Sequence, residues 1–219
     1  MDRAGLVQLL VGREPEAILR TLAMMAYNPA ISRVLEKGGV SRFADLMTDA
    51  IPKLYGSVTR DTFMAFHDDT CGRILADFKT ARRQTLSYGQ AQKPLNVFLK
   101  VYVDWAKQPT RELAEHLTPL LHVPLDSVMM KFMKKEFSAE YEAAIGALRR
   151  QKLERITERV KTISAATPGA VARHLVGNEF SLAAIDKEIY LRWQDLFRFL
   201  WPGKPVELDI IWAIKRRQL

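Results

Sequence analysis

Ser87-Tyr88-Gly89-Gln90-Ala91-Gln92-Lys93-Pro94-Leu95-Asn96-Val97-Phe98-Leu99-Lys100 is the stretch whose reading decides the fold. Leu95, Phe98, Leu99 and Tyr102 fall at helical spacing and make an apolar stripe, whereas Lys93, Asn96 and Lys100 lie on a more polar side. Gly89 reads as a turn between two helices, and Pro94 suits a first helical position, which sets Lys93 at or near the N-cap. A second stretch, His122-Val123-Pro124-Leu125-Asp126-Ser127, is a Pro-bounded turn that presents Asp126 where another helix begins.

Outward from these blocks the apolar spacing stays helical. Ile18, Leu19, Leu22, Met25 and Ala26 follow one helix face, with Pro15 suited to its first turn and Asn28-Pro29 breaking it. After the Gly38-Gly39 break, Phe43, Leu46, Met47, Ala50 and Ile51 form a second face, ended by Pro52. Phe63, Phe66, Thr70, Ile74 and Phe78 form a third, with Gly72 as a weak point. Residues 108–124 read as a Pro-punctuated loop, and 139–163 as one charged helix in which Arg149, Arg150, Lys152, Arg155 and Arg159 alternate with glutamates on a solvated face. Thr167-Pro168-Gly169 is a break. Ile189, Trp193, Leu196 and Phe197 mark a further helix, followed by a Pro-Gly turn and a last helix with Leu208, Ile211 and Trp212. Alternating β-branched runs and internal repeats are absent, so the fold class is all-α.

Composition bounds the function. Lys and Arg number 33 against 25 Asp and Glu, a net charge of +8 that favours a polyanionic partner, because phosphate contacts release counterions. The single cysteine, Cys71, rules out disulfides within the chain and cysteine-ligated zinc or iron–sulfur centres, and reads as a small buried hydrophobe. Neither a basic-then-apolar leader nor an apolar run of about 18 residues is present, which points to a soluble cytoplasmic protein with no membrane role.

The chemistry follows from the two decisive blocks. A glycine turn leading into a helix N-terminus lets backbone N–H groups approach a phosphate, making Gly89 and Gln90 candidate phosphate ligands, with Lys79, Arg82 and Arg83 just upstream. At an N-cap the helix dipole opposes an ammonium and favours the neutral amine, the form of Lys93 that attacks a sugar C1′ to give a Schiff base. The Asp126 carboxylate caps its own helix and is suited to stabilising an oxocarbenium-like centre. The bland alternatives are a solvated Lys93, a plain N-cap at Asp126 and a mere helix break at Gly89. A metal phosphohydrolase built on His67 and Asp68 needs further histidines at helix spacing, and His116, His122 and His174 sit in dissimilar contexts, so no metal site is expected. P-loop, G-x-S-x-G, H-E-x-x-H and dinucleotide fingerprints are missing.

Gly89-Gln90-Ala91-Gln92-Lys93 followed by Pro124-Leu125-Asp126-Ser127 resembles the hairpin lysine and downstream aspartate of the helix-hairpin-helix DNA glycosylases, most closely the archaeal 8-oxoguanine glycosylase branch. Glu207-Leu208-Asp209-Ile210-Ile211-Trp212 is similar to that branch's C-terminal helix. The resemblance implies a two-lobed helical bundle within one domain, 1–219, with the hairpin at about 79–105 and a cleft between lobes. It implies Lys93 as Schiff-base nucleophile, Asp126 as catalytic carboxylate, and Asp209, Trp212 and His122 lining a pocket for a flipped base. By the residues alone, Asp209 and Trp212 read more readily as a C-terminal helix docking its Trp into the core. The implied protein is a monomer acting on double-stranded DNA, with associated AP-lyase activity and no cofactor. The competing class is a non-catalytic basic helical module that binds nucleic acid or a protein.

Overall fold

Ser87 and Gln90 start the decisive helix six residues before Pro94. The Ser87 N–H donates to Gln90 Oε1 at 2.9 Å, and the Gln90 N–H donates back to Ser87 Oγ at 3.2 Å. This reciprocal pair is a capping box, S-x-x-Q, which satisfies orphan N–H groups at a helix start. In this computed structural model, backbone is described for residues 3–27, 35–36, 38–163, 179–211 and 214, and side chains over the same residues from 15 onward without 156–163. Elements are named over those residues.

The fold is all-α. The helices are α1 (Arg3–Tyr27), α2 (Gly39–Leu54), α3 (Arg60–Asp77), α4 (Tyr88–Leu99), α5 (Arg111–Leu117), α6 (Ser127–Glu136), α7 (Ser138–Tyr141), α8 (Ala147–Ile163) and α9 (Lys187–Leu200). π-helical turns continue α4 over Lys100–Trp105 and join α7 to α8 over Glu142–Gly146. Among the described residues the only extended pairings are isolated antiparallel bridges, Leu35 with Thr80 and Lys79 with Thr85. No described helix is long and apolar enough to cross a membrane.

Two units divide the chain: residues 1–86 with 94–121, and residues 87–93 with 122–219. In the first, the predicted face of α2 is buried through Phe43, Leu46, Met47, Ala50 and Ile51, and α1 packs against α2. Tyr27, Phe43, Phe98 and Tyr102 form a chain of ring contacts with centroids 5.3–6.3 Å apart. A Cβ at Gly39 would run into the Tyr27 hydroxyl, so close approach explains that glycine. α3 runs unbroken through Gly72 from a Thr59–Thr62 capping box. Pro15 lies inside α1, not in its first turn.

The second unit takes the first turns of α4, then α6 to α9. Trp193 is fully buried against Tyr141 and Phe197, at centroid distances of 5.5 and 5.7 Å, and Tyr190 lies 5.2 Å from Tyr88. Asp186 caps α9 by accepting from the Ile189 N–H at 2.9 Å. The expected loop at 108–124 contains α5, capped by Thr110 Oγ1, which accepts from the Leu113 N–H at 3.2 Å. The prolines on either side hid a helix whose apolar residues Leu113, Ala114 and Leu117 keep helical spacing. The expected C-terminal helix opens with a 3₁₀ turn, Pro205–Asp209, and the described residues 210–211 and 214 beyond it are α-helical.

Candidate active site

Lys93 and Asp126, 33 positions apart, meet within the second unit. Lys93 Nζ donates to Asp126 Oδ2 at 3.0 Å, and both side chains are largely enclosed, with 8% and 16% of their surface exposed. The other carboxylate oxygen, Oδ1, accepts from the Met129 N–H at 2.8 Å, so Asp126 is the N-cap of α6, as its position after Pro124 predicts. One carboxylate therefore fixes a helix start and an amine at the same time. Lys93 itself is not at a helix N-terminus. The capping box starts α4 at Tyr88, and Lys93 and Pro94 fall in its second turn, so the dipole argument for a neutral amine does not carry over. What positions the amine is the aspartate.

The segment ahead of Asp126 is held by a glutamine. Gln194 of α9 donates from Nε2 to the Val123 carbonyl and accepts the Val123 N–H on Oε1, each at 2.9 Å and fully buried. From the other side, Gln92 Oε1 accepts the Leu125 N–H at 3.5 Å while its Nε2 donates to the Gly89 carbonyl at 2.9 Å. Gln194→Leu leaves both polar groups of Val123 without side-chain partners, and an unfolding free energy lower by about 2 kcal/mol is expected from urea denaturation. His122 is buried one residue away and shares a 2.6 Å hydrogen bond between its Nδ1 and the Tyr190 hydroxyl. It belongs to the packed interior of this unit.

The expected glycine hairpin is not formed. Gly89 is the second residue of α4, its N–H donates to the Ile185 carbonyl at 2.9 Å, and a Cβ there would lie 2.5 Å from the Leu182 carbonyl oxygen and 2.6 Å from Ile185 Cβ. The residue is glycine because the 182–185 turn presses on the helix, and its N–H is already spent on that turn rather than offered to a phosphate. Gln90, the other expected phosphate ligand, closes the capping box. Lys79, Arg82 and Arg83 lie in the first unit on a tight turn between α3 and α4, closed by Arg83 N–H to the Thr80 carbonyl at 2.8 Å and Thr80 N–H to the Gln84 carbonyl at 2.9 Å. Arg82 and Arg83 are exposed at its tip, while the Lys79 N–H donates to Glu36 Oε1 at 3.2 Å. Asp209 is half-buried in the 3₁₀ turn, and Trp212 lies outside the described residues.

The sequence places Asn96 and Lys100 on the polar side of the helix, and the structure buries both in the first unit. Asn96 Oδ1 lies 2.8 Å from His67 Nε2, His67 Nδ1 lies 3.8 Å from Cys71 Sγ, and Lys100 Nζ stands 4.5 Å from the centre of the Trp105 ring. The missed signal was that α4 has no other polar side. With Leu95, Phe98 and Leu99 apolar and Tyr88 and Ala91 beside them, the helix must be interior and its polar residues must find partners there. His67 is thus engaged within a helix-packing cluster, and among the described residues no three His, Cys, Asp or Glu side chains are grouped to hold a metal ion.

Chemically, the pair offers a primary amine, a carboxylate 3.0 Å away able to take its proton, and surroundings from which most water is excluded. Comparison with protein-family models, with curated proteins and with solved structures yields no match to this chain.

Proposed function

We propose that the protein is a DNA glycosylase with AP-lyase activity, in which Lys93 is the nucleophile and Asp126 its carboxylate partner. The observation that supports this reading is the enclosed Lys93–Asp126 pair, brought together from two helices across 33 positions of sequence. A lysine with no chemical task seldom stays this buried, because desolvating an ammonium costs several kcal/mol unless a partner offsets it, and a surface position avoids the cost altogether. The net charge of +8 supports a polyanionic substrate.

The steps follow from the two side chains. The ammonium proton passes from Lys93 Nζ to Asp126 Oδ2 and then to the departing base, whose bond to C1′ breaks. The neutral amine bonds to C1′, the sugar ring opens with its oxygen taking a proton, and the second amine proton leaves to give the imine. The imine acidifies the C2′ proton; its removal expels the 3′ phosphate, and water then releases the enzyme amine. Asp126 acts as proton relay and as the negative charge facing the oxocarbenium-like centre.

Borohydride reduction in the presence of duplexes carrying a panel of damaged bases tests this. The wild type is expected to form a covalent adduct with at least one duplex, and Lys93→Gln with none. No adduct and no base excision across the panel would overturn the reading; binding that weakens steeply with salt but never turns over would assign the competing class, a binding module.

A further inference from the structure

A separate cavity of about 260 Å³ lies wholly within the second unit, walled by α6, the π turn after α7, α8 and the residues around the Leu182–Ala184 turn. Its charged lining comprises four cations, Lys134, Arg149, Arg150 and Lys152, and three carboxylates, from Glu142, Glu179 and Asp186. Three of the cations are matched. Lys134 Nζ donates to Glu179 at 2.7 Å, Lys152 Nζ pairs with Asp186 at 2.6 Å and with Glu188 at 2.8 Å, and Arg150 pairs with Glu142. Arg149 is left over, and its Nη2 is buried without a hydrogen-bond partner.

That arrangement costs stability as it stands. A buried donor left unsatisfied costs roughly 1–3 kcal/mol, more when it is charged. Burial also pushes the Arg149 guanidinium below its usual range against the opposing pull of Tyr141, Glu179 and Asp186, yet a guanidinium stays protonated at neutral pH. The Tyr141 hydroxyl, pushed up to about 12 chiefly by burial, remains a neutral hydrogen-bonding group beside it. Gly146 sits in the π turn on the cavity wall, and a side chain there would collide with the Glu142 carboxylate. The glycine leaves room for the Glu142 carboxylate beside the π turn, where it pairs with Arg150. π turns of this kind recur at ligand sites.

We propose that this cavity is a binding site for a small organic molecule bearing one oxyanion group, a phosphate monoester or a carboxylate, clamped by Arg149. The Arg149 Nη2 donor, buried and unpartnered on the cavity wall, is the group that an oxyanion would satisfy. A planar guanidinium engages such a group through the N–H donors of its fork, here including the unpartnered Nη2. The apolar part of the wall, Leu153, Ala184 and Ile189, is suited to the ligand's body. The three carboxylates on the lining disfavour a polyanion such as a DNA backbone, and the small volume suits a free molecule. The site stands independently of the glycosylase reading.

Isothermal titration of the full chain with inorganic phosphate, succinate and deoxyadenosine monophosphate tests it, each against wild type, Arg149→Gln and Arg149→Lys. Wild type is expected to bind at least one probe saturably, with a raised Tm. Arg149→Gln should bind about tenfold or more weakly and Arg149→Lys in between, since lysine keeps the charge and loses the two-pronged geometry. Phosphate probes binding without succinate assign a phosphate ester, and the reverse a carboxylate. Without ligand, Arg149→Gln is expected to melt no lower than wild type, because it removes a desolvated charge. A marked loss of stability or failure to fold would make Arg149 structural and overturn the proposal. So would no saturable binding, equal binding by Arg149→Gln, or displacement of the probe by duplex DNA.

Discussion

Asp126→Ala is expected to lower the unfolding free energy by about 4–6 kcal/mol, more than any other single side-chain truncation in the second unit's charged pairs. Two losses combine. The N-cap of α6 disappears, at about 1 kcal/mol. The Lys93 ammonium is then left enclosed without its carboxylate, which for a buried pair costs about 3–5 kcal/mol. Lys93→Met is expected to cost less, about 2 kcal/mol, because Asp126 still accepts the Met129 N–H and methionine replaces most of the lysine stem. The double variant Lys93→Met/Asp126→Ala should be more stable than Asp126→Ala alone, since no charge remains to be stranded and the missing cap is the main deficit. Urea denaturation of the four proteins reads the cycle directly. Additive losses would show that the pair is not energetically coupled and would weaken its claim to be a preorganised site. If Asp126 takes the amine's proton, Asp126→Asn should also cut excision by about two to three orders of magnitude while preserving the cap.

Gly89→Val is expected to be the most damaging substitution in α4, at about 3 kcal/mol or more, the upper part of the overpacking range. Its Cβ would sit 2.5 Å from the Leu182 carbonyl oxygen and 2.6 Å from Ile185 Cβ. Neither obstacle is the end of a flexible side chain, so no rotamer change relieves it. Ile185→Ala retains the Cβ and is expected not to rescue the variant. The same substitution separates two views of this glycine. A phosphate-cradling glycine would lose DNA affinity with stability unchanged, whereas the packing role loses stability first, as thermal unfolding of Gly89→Ala and Gly89→Val will read.

How much of this was legible depends on range along the chain. The all-α class and the buried faces of α2 and α3 follow from local periodicity, which Phe43 to Ile51 and Phe63 to Ile74 carry within single helices. The capping box at Ser87 and Gln90 is equally local, but the glycine between them and the proline after them carry the sequence signature of a turn. The aspartate's role as N-cap was readable from Pro124 and the apolar run beyond it. What no local pattern carries is the contact of Gly89 with Ile185, or of Val123 with Gln194 at a separation of 71 residues. The first of those contacts decides that Gly89 is spacing rather than ligand, as the 29-residue reach from His67 to Asn96 decides that Asn96 is interior. The leftover Arg149 was hidden for a related reason. Among alternating charges on one helix, nothing local tells which cation finds a carboxylate and which does not.

The second unit owns residues 87–93 and then resumes at 122, while 94–121 belongs to the first. In genetic terms the candidate pair is therefore not a transferable cassette. Every contiguous segment that carries both Lys93 and Asp126 must also carry the whole of the first unit's return strand of sequence, and a chain severed anywhere within 94–121 places amine and carboxylate on different polypeptides. On the proposed function, such a split would leave each half chemically silent and make the chemistry conditional on their reunion.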